Sequence, residues 1–480
     1  MGKNKKFVKE ITDMNENFAQ WYTDVVRKAD LADYSPIKGF MVIKSYGYAI
    51  WENIQAYLDE KFKATGHKNM SFPLLIPESF LNKEKEHVEG FAPEVAWVTH
   101  GGKKELEERL CVRPTSETII CAMYAKWLKS YRDLPYLYNQ WCSVVRWEKE
   151  TRPFLRTSEF LWQEGHTLHA TEEEALAETL QMLGIYTDMA ENLLAIPVLS
   201  GLKSESEKFA GAEATYTIEA MMRDGKALQS GTSHFLGQHF TEAFEIEYLD
   251  KDGQLKHPYH TSWGVSTRLI GALIMSHGDN RGLVLPPSVA PVQIVVIPVR
   301  QEQEGVLEHA RELYEELKAA GFRVELDDDD TNTVGRKYNE YEMKGYPLRI
   351  AVGPQDIEQG KVVYARRDTL ENYSADRATI VSQVGAILEE VQQGIFNRAK
   401  ERMDSKTYRA EDYETFKNDL VEKPGFYEAM WCGCEDCEAK IKEDSSATVR
   451  CLGKEEQRFG NACLVCGKDA KHMVYLAKAY

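Results

Sequence analysis

What this 480-residue chain lacks narrows its function before any motif is read. It has no run of about 18 apolar residues, so a membrane span is not expected. Its opening, "MGKNKKFVKE", is charged and has no apolar h-region, so no secretory leader is expected either. Gly2 would suit N-terminal acylation, but Lys6 stands where that signal needs Ser or Thr. Positive charge is in deficit, with 59 Lys and Arg against 76 Asp and Glu and a net charge of -17. The surface as a whole should repel nucleic acid, so any such partner must be held by local basic patches. Nucleophile-elbow GxSxG, Walker A and HExxH patterns are all missing, which removes the usual hydrolase, P-loop and metalloprotease readings. Cysteine is scarce in the body of the chain, because six of the nine crowd into the last 50 residues. That distribution favours a metal site in a reduced, cytoplasmic protein over a disulfide framework.

What is present is ordinary in bulk, at 43% hydrophobic and 28% charged, and long enough for about three domains. In "SYGYAIWENIQAYLDEKFKATG", Ile50, Ile54, Leu58 and Phe62 recur every four residues and draw an apolar stripe on a helix that Gly66 ends. "HKNMSFPLLIPESF" reads as a strand leaving that helix, with Pro73 confining it to an edge or an interface. The proline-rich "RGLVLPPSVAP" closes a first unit. Beyond it, strands "VQIVVIPV", "FRVELDDDD" and "PLRIAVG" alternate with helices "EGVLEHARELYEELKAAG" and "RKYNEYEMKG", which predicts a small α/β domain. A long polar helix, "DRATIVSQVGAILEEVQQGIFNRAKERMDS", leads into a Cys-rich unit.

Three constellations carry chemistry. In "RWEKETRPFLRTSEFLWQEGHT", alternation predicts two strands turning near Pro153, with Arg146 and Glu148 on one face and Arg156 in phase with Phe160. Guanidinium groups bind phosphate bidentately and a ring stacks on a base, although surface ion pairs would also account for the pattern. In "HTSWGVSTRLIGALIMSHGDNRGLVLPP", Gly264 permits close backbone approach and Arg268 opens a helix bearing Ile270, Leu273 and Ile274. An arginine there is costly unless it meets an anion or caps a sheet edge. In the tail, "WCGCEDCEAK" and "RCLGKEEQRFGNACLVCGK" pair thiolates at short spacing, a tetrahedral Zn²⁺ signal. Spacing alone favours Cys434 and Cys437 facing Cys463 and Cys466.

The helix and strand that end near Pro73, the Arg146 stretch and the Arg268 stretch resemble, in that order, the three signature motifs of class II aminoacyl-tRNA synthetases. With "RPTSET", "QSGTSHFLGQ" and "TSWG", the chain is similar almost throughout to the prolyl-tRNA synthetase family in its archaeal and eukaryotic-like form. The resemblance implies a catalytic α+β domain on an antiparallel sheet (1–285), an α/β anticodon-binding domain (286–400) and a small zinc-binding α+β domain (401–480). It implies that Arg146 bridges the amino-acid carboxylate and the ATP α-phosphate, and that Arg268 meets the γ-phosphate. Glu148, Arg156, Thr157, Phe160, Gln229 and Thr232 would complete the ATP site, with Mg²⁺. Thr115, Glu117, His166, His234, Ser262, Trp263 and Gly264 would form the L-proline pocket, Trp263 as its apolar wall. Glu342 and Arg349 would read the anticodon of tRNA(Pro), with Lys344 and Lys361 on phosphates. The zinc set it implies is Cys432, Cys437, Cys463 and Cys466, and the final Tyr480 would tuck towards the catalytic domain. A homodimer built on the first motif's helix is also implied. The second reading is a non-catalytic, synthetase-like regulator that binds an amino acid. The gap of about 90 residues between the second and third motifs is too short for an inserted editing domain.

Overall fold

The fold is described from a computed structural model covering residues 11–81 and 95–480, so the N-terminal stretch read for leader and acylation signals lies outside it. The α/β class is observed, and the three largest of the six sheets among the described residues each organise one region. Among the described residues no helix is long and apolar enough to cross a membrane.

The largest sheet has seven strands, in the order Lys68–Asn69, Tyr136–Val145, Glu159–His169, Tyr259–Ser266, Ala227–Gly237, Ala214–Met221 and Val198–Leu202. All neighbours are antiparallel except the first pair. One face is closed by helices. Helix Ser45–Ala64 buries the predicted stripe, with Ile50, Ile54, Leu58 and Phe62 all 1% exposed or less. Helices Phe18–Lys28, Glu172–Asp188 and Arg268–His277 share its apolar core. The other face carries polar residues, as alternation along an antiparallel strand allows.

A five-stranded sheet follows, in the order Val324–Leu326, Ile294–Pro298, Leu348–Val352, Lys361–Arg366 and Asn372–Asp376. Its first three strands are parallel, joined by helices Val306–Ala319 and Val334–Lys344, as the alternating rhythm predicts. The long helix spans Ile380–Ser405. The C-terminal sheet orders Thr407–Ala410, Phe426–Trp431, His472–Ala477 and Thr448–Leu452. The last residue returns to the catalytic sheet as expected: the Tyr480 hydroxyl donates to Asp224 at 2.6 Å and its amide to the Ala227 carbonyl at 3.0 Å.

Two local readings differ from the structure. The strand expected from His67 to Phe80 is broken into Lys68–Asn69, in the seven-stranded sheet, and Leu75–Pro77, in a separate three-stranded sheet. Pro73 has no amide to donate, and the chain changes sheets across it. The stretch expected to form both hairpin strands is mainly the hairpin's loop. The strands end at Val145 and resume at Glu159, with one bridge between Arg152 and Arg156. Phe154 adopts a left-handed φ of 59°, which no strand accommodates. Charge alternation over a short polar run imitated the period of a strand.

Candidate active site

Four adjacent strands build the site by alternation. On Glu159–His169, Phe160, Trp162, Glu164 and His166 share one face. Register sets His166 opposite Ser262 and Ser262 opposite His234, while Glu164 faces Gly264 and Gly264 faces Thr232. A residue with a side chain at Gly264 would press within 2.9 Å of the Gln163 carbonyl. These rows floor a cavity of about 320 Å³, which Thr115, Glu117, Arg146 and Arg268 also line. Gln229 lines it too. Twelve of the fifteen residues expected to bind proline or ATP therefore line one cavity, although they come from five separate stretches of sequence.

Three do not. Glu148 and Arg156 pair with each other at 3.6 Å across the hairpin loop, and the Arg156 side chain is 63% exposed. Thr157 lines an adjoining cavity with Phe154 and Leu161. Trp263 lines the main cavity, but its ring belongs to the helical core, 4.9 Å from the Phe62 ring and 5.2 Å from that of His67. Alternation requires this, since Ser262 and Gly264 take the opposite face. The cavity's aromatic walls are Phe160, Trp162 and Phe209 instead.

The two arginines are held for anions in different ways. Arg146 donates from Nε to the Pro114 carbonyl at 3.1 Å, with its guanidinium 5.5 Å from the Phe160 ring and 5.4 Å from that of Trp162. Arg268 is half-buried and donates only to main-chain carbonyls, those of Leu155 at 3.3 Å and Gln229 at 3.4 Å. Burial, then the charges of Arg156 and Arg450, lowers its pKa, so this guanidinium gains from a bound anion.

Glu164 is the buried charge that organises the part of the cavity around Thr115 and His166, and the sequence reading missed it. Oε2 accepts from the Thr115 hydroxyl at 3.2 Å, the Ser116 amide at 3.0 Å and His166 Nε2 at 3.2 Å. Oε1 accepts from Gln140 at 3.1 Å. Burial alone would raise its pKa, but the His166 and Ser116 bonds and the His166 charge hold it down to about 2. Burial likewise opposes charge on His166, yet the Glu164 bond and the charges of Glu117 and Glu164 raise its pKa overall. His234 goes the other way, to about 3, through burial and then the charges of His166 and Lys203. Its Nδ1 lies 2.9 Å from the Thr215 hydroxyl. Trp162 and Glu164 fall in phase with Phe160 and His166, a signal that would have found them. Lys203, Glu207, Lys208 and Phe209 also line the cavity, and no spacing in the sequence announces them.

The anticodon candidates also meet. Glu342 Oε1 lies 3.8 Å from Arg349, whose guanidinium stacks 3.4 Å from the Tyr338 ring centre, in a separate cavity of about 160 Å³. Arg281 joins them, 2.8 Å from the other Glu342 oxygen. Lys344 is engaged with Glu340 at 2.8 Å, and Lys361 is exposed. In the tail, the sulfurs of Cys432, Cys437, Cys463 and Cys466 all lie within 4.8 Å of one another. Cys434 is exposed and caps the helix Glu435–Ser445, outside this cluster.

Residues 97–277 match the family described as tRNA synthetase class II core domain (G, H, P, S and T), and 293–387 match the anticodon binding domain. An antiparallel sheet carrying such a cavity, followed by an anticodon domain, defines a class II aminoacyl-tRNA synthetase. Residues 413–480 match the family described as prolyl-tRNA synthetase, C-terminal. Proline–tRNA ligase of Acetoanaerobium sticklandii is 66% identical over 478 residues, spanning all of this chain and 99% of the relative. The corresponding ligase of Alkaliphilus oremlandii is 65% identical with the same coverage, and proline–tRNA ligase 2 of Clostridioides difficile is 63% identical over both full lengths. The chain belongs to the prolyl-tRNA synthetase family, in its archaeal and eukaryotic-type form.

The Glu164 network generates a prediction with a definite sign. A carboxylate with a depressed pKa contributes stability above its unfolded value near 4.5, and that contribution is lost as pH falls towards 2. A histidine with a raised pKa contributes below its unfolded value near 6.5, and that contribution is lost as pH rises through the folded one. Glu164→Gln should cost about 1–3 kcal/mol at neutral pH and flatten the acid limb of denaturation. It should also lower the His166 titration followed by NMR. An unmoved His166 titration would contradict the network.

Proposed function

We infer that this chain activates L-proline with ATP, forming prolyl-adenylate and pyrophosphate, and then transfers the prolyl group to the 3′ end of tRNA(Pro). The observation carrying this reading is the convergence of Arg146, Arg268 and the Glu117–His166 end on one cavity. In the first step an oxygen of the proline carboxylate bonds to the α-phosphorus of ATP, and the bond to the departing pyrophosphate breaks. In the second, the terminal ribose hydroxyl attacks the prolyl carbonyl, releases AMP and loses its proton.

No side chain need act as a nucleophile. Catalysis is positioning plus neutralisation of phosphate charge, and it draws on arginines with planar, bidentate donors. Arg146 would bridge the proline carboxylate and the α-phosphate, and Arg268 would hold the distal phosphates of MgATP. Phe160 offers a stacking face for adenine, with Gln229 and Thr232 nearby on the sheet. Glu148, Arg156 and Thr157 remain assigned to ATP, which would require the hairpin loop to fold over the nucleotide and part the Glu148–Arg156 pair. Glu117 and Thr115 suit the secondary ammonium, with His166, His234, Ser262 and Gly264 around them. Trp263 backs the pocket from the core, while Trp162 and Phe209 suit the apolar ring.

The domain division at 285 and 400 and the anticodon role of Glu342 and Arg349 belong to this proposal. An arginine stacked on Tyr338 beside a carboxylate is equipped to pair with guanine edges. So does a homodimer through helix Ser45–Ala64 and the chain around Pro73, where Tyr48 and Leu74 are exposed. A monomer in sedimentation at micromolar concentration would count against it. The four-cysteine cluster suits a structural Zn²⁺. Tetrahedral thiolates at about 2.3 Å from zinc stand about 3.8 Å apart. Cys432 Sγ lies 3.7 Å from Cys437 Sγ and 3.8 Å from Cys466 Sγ. With four protein ligands the ion would hold the fold and take no part in the chemistry.

Two tests follow. Arg146→Ala should abolish proline-dependent pyrophosphate exchange in a folded protein, and near-normal exchange would remove its role. Metal analysis should find one zinc per chain, retained in Cys434→Ser and lost in Cys432→Ser; the reverse order would give the site to the CxxC pair.

A further inference from the structure

The cavity wall contains one segment that the catalytic sheet does not hold by itself. After strand Val198–Leu202 the chain makes a turn, residues 203–209, which brings Lys203, Glu207, Lys208 and Phe209 to the cavity. The turn's internal support is slight: the Glu207 and Lys208 amides donate to the Ser204 carbonyl at 3.2 and 3.0 Å. Its far end is tied to the amino-acid end of the cavity. The Phe209 amide donates to the Thr215 hydroxyl at 3.0 Å, and the Phe209 ring lies 4.8 Å from that of His234.

The near end is held from two sides: the Lys203 amide donates to the Thr215 carbonyl of the sheet at 2.8 Å, and the C-terminal unit holds the residues that follow. Glu438, on helix Glu435–Ser445, is 5% exposed and pairs with no lysine or arginine among the described residues. Its Oε1 accepts from the Ser204 hydroxyl at 2.6 Å and its Oε2 from the Ser206 hydroxyl at 2.5 Å. A buried carboxylate is expensive unless its oxygens find donors, so carboxylate and turn each stabilise the other. Three ion pairs flank these bonds. Lys442 lies 3.7 Å from Glu207. Arg450 Nη2 meets Glu219 Oε2 at 2.8 Å, and the other Glu219 oxygen takes Lys203 at 3.4 Å. Glu438 follows Cys437 directly, so the cysteine cluster fixes the helix end that bears it.

We propose that Glu438 is a positioning residue for amino-acid activation: through Ser204 and Ser206 it holds the turn 203–209, and with it Phe209, against the proline end of the cavity. The inference rests on the reading of that cavity given above. It means that the C-terminal unit, remote from the reacting atoms, sets how well proline is held. An interaction that orders the amino-acid wall in free and bound enzyme alike appears in KM for proline, with little change in kcat.

The test is pyrophosphate exchange by the full-length, zinc-loaded protein, with proline and ATP varied separately. Glu438→Ala, and independently the double variant Ser204→Ala/Ser206→Ala, should raise KM for proline about fivefold or more. KM for ATP and kcat should stay within about twofold. Glu438→Gln, which can still bond both hydroxyls, should restore KM for proline to near the wild-type value. Circular dichroism and zinc content identify a variant that fails to fold. The serine pair lies outside the C-terminal unit and carries the test if Glu438→Ala does. Proline KM unmoved in the folded variants overturns the proposal. So does an equal rise in both KM values that Glu438→Gln does not rescue. A wild-type chain that exchanges no pyrophosphate with proline contradicts the reading of the cavity itself, whereas wild-type exchange with unmoved variants contradicts only the clamp.

Discussion

The site depends on two guanidinium groups, brought from distant parts of the chain, being held beside one cavity. Arg268 begins an apolar helix, half-buried, and spends its donors on two main-chain carbonyls. Arg146 leaves the end of strand Tyr136–Val145 and leans on two rings. Burying a guanidinium among carbonyls and aromatics is costly, and a bound anion would offset that cost. In the proposed reading the two charges set where a triphosphate and a carboxylate lie together.

The part of the cavity around Thr115 and His166 holds a charge of the other sign. Glu164 is buried and satisfied on both oxygens, and it fixes the turn carrying Thr115 and Ser116 as well as the His166 ring. One histidine is thereby drawn towards its charged form while His234 is held neutral. A small cyclic amino acid offers one cation, one anion and an apolar ring. The cavity answers with a carboxylate end, an arginine and aromatic walls. The same economy continues outwards, where Glu438 draws the C-terminal unit onto the turn that closes this wall.

Much of this was legible in the sequence, for reasons that differ by region. Four-residue recurrence of Ile50, Ile54, Leu58 and Phe62 is a strong helical signal, and the structure buries all four. Strand and helix alternation after Pro291 likewise pointed to the three parallel strands of the five-stranded sheet, but not to its antiparallel pair Lys361–Arg366 and Asn372–Asp376. The motif residues met in one cavity because antiparallel register, which sequence alone does not print, aligns His234, Ser262 and His166. Register also decides where a side chain points: Trp263 lines the cavity, yet its ring fills the space above Gly165 in the core, where an added Cβ would stand 2.2 Å from it. Spacing favoured Cys434 for the metal cluster. That residue instead caps a helix and is exposed, while Cys432 joins the cluster. Glu438 meets Ser204 and Ser206 across more than 200 residues, and no local pattern marks it or Phe209.

The most direct test of the central claim is ATP binding by calorimetry to a folded Arg268→Ala variant, which keeps every group at the amino-acid end. Affinity for MgATP should fall about tenfold or more, the scale of one lost charge-assisted contact, with proline binding unchanged. Wild-type ATP affinity in that variant would contradict the account, since Arg268 would then have no anion to hold.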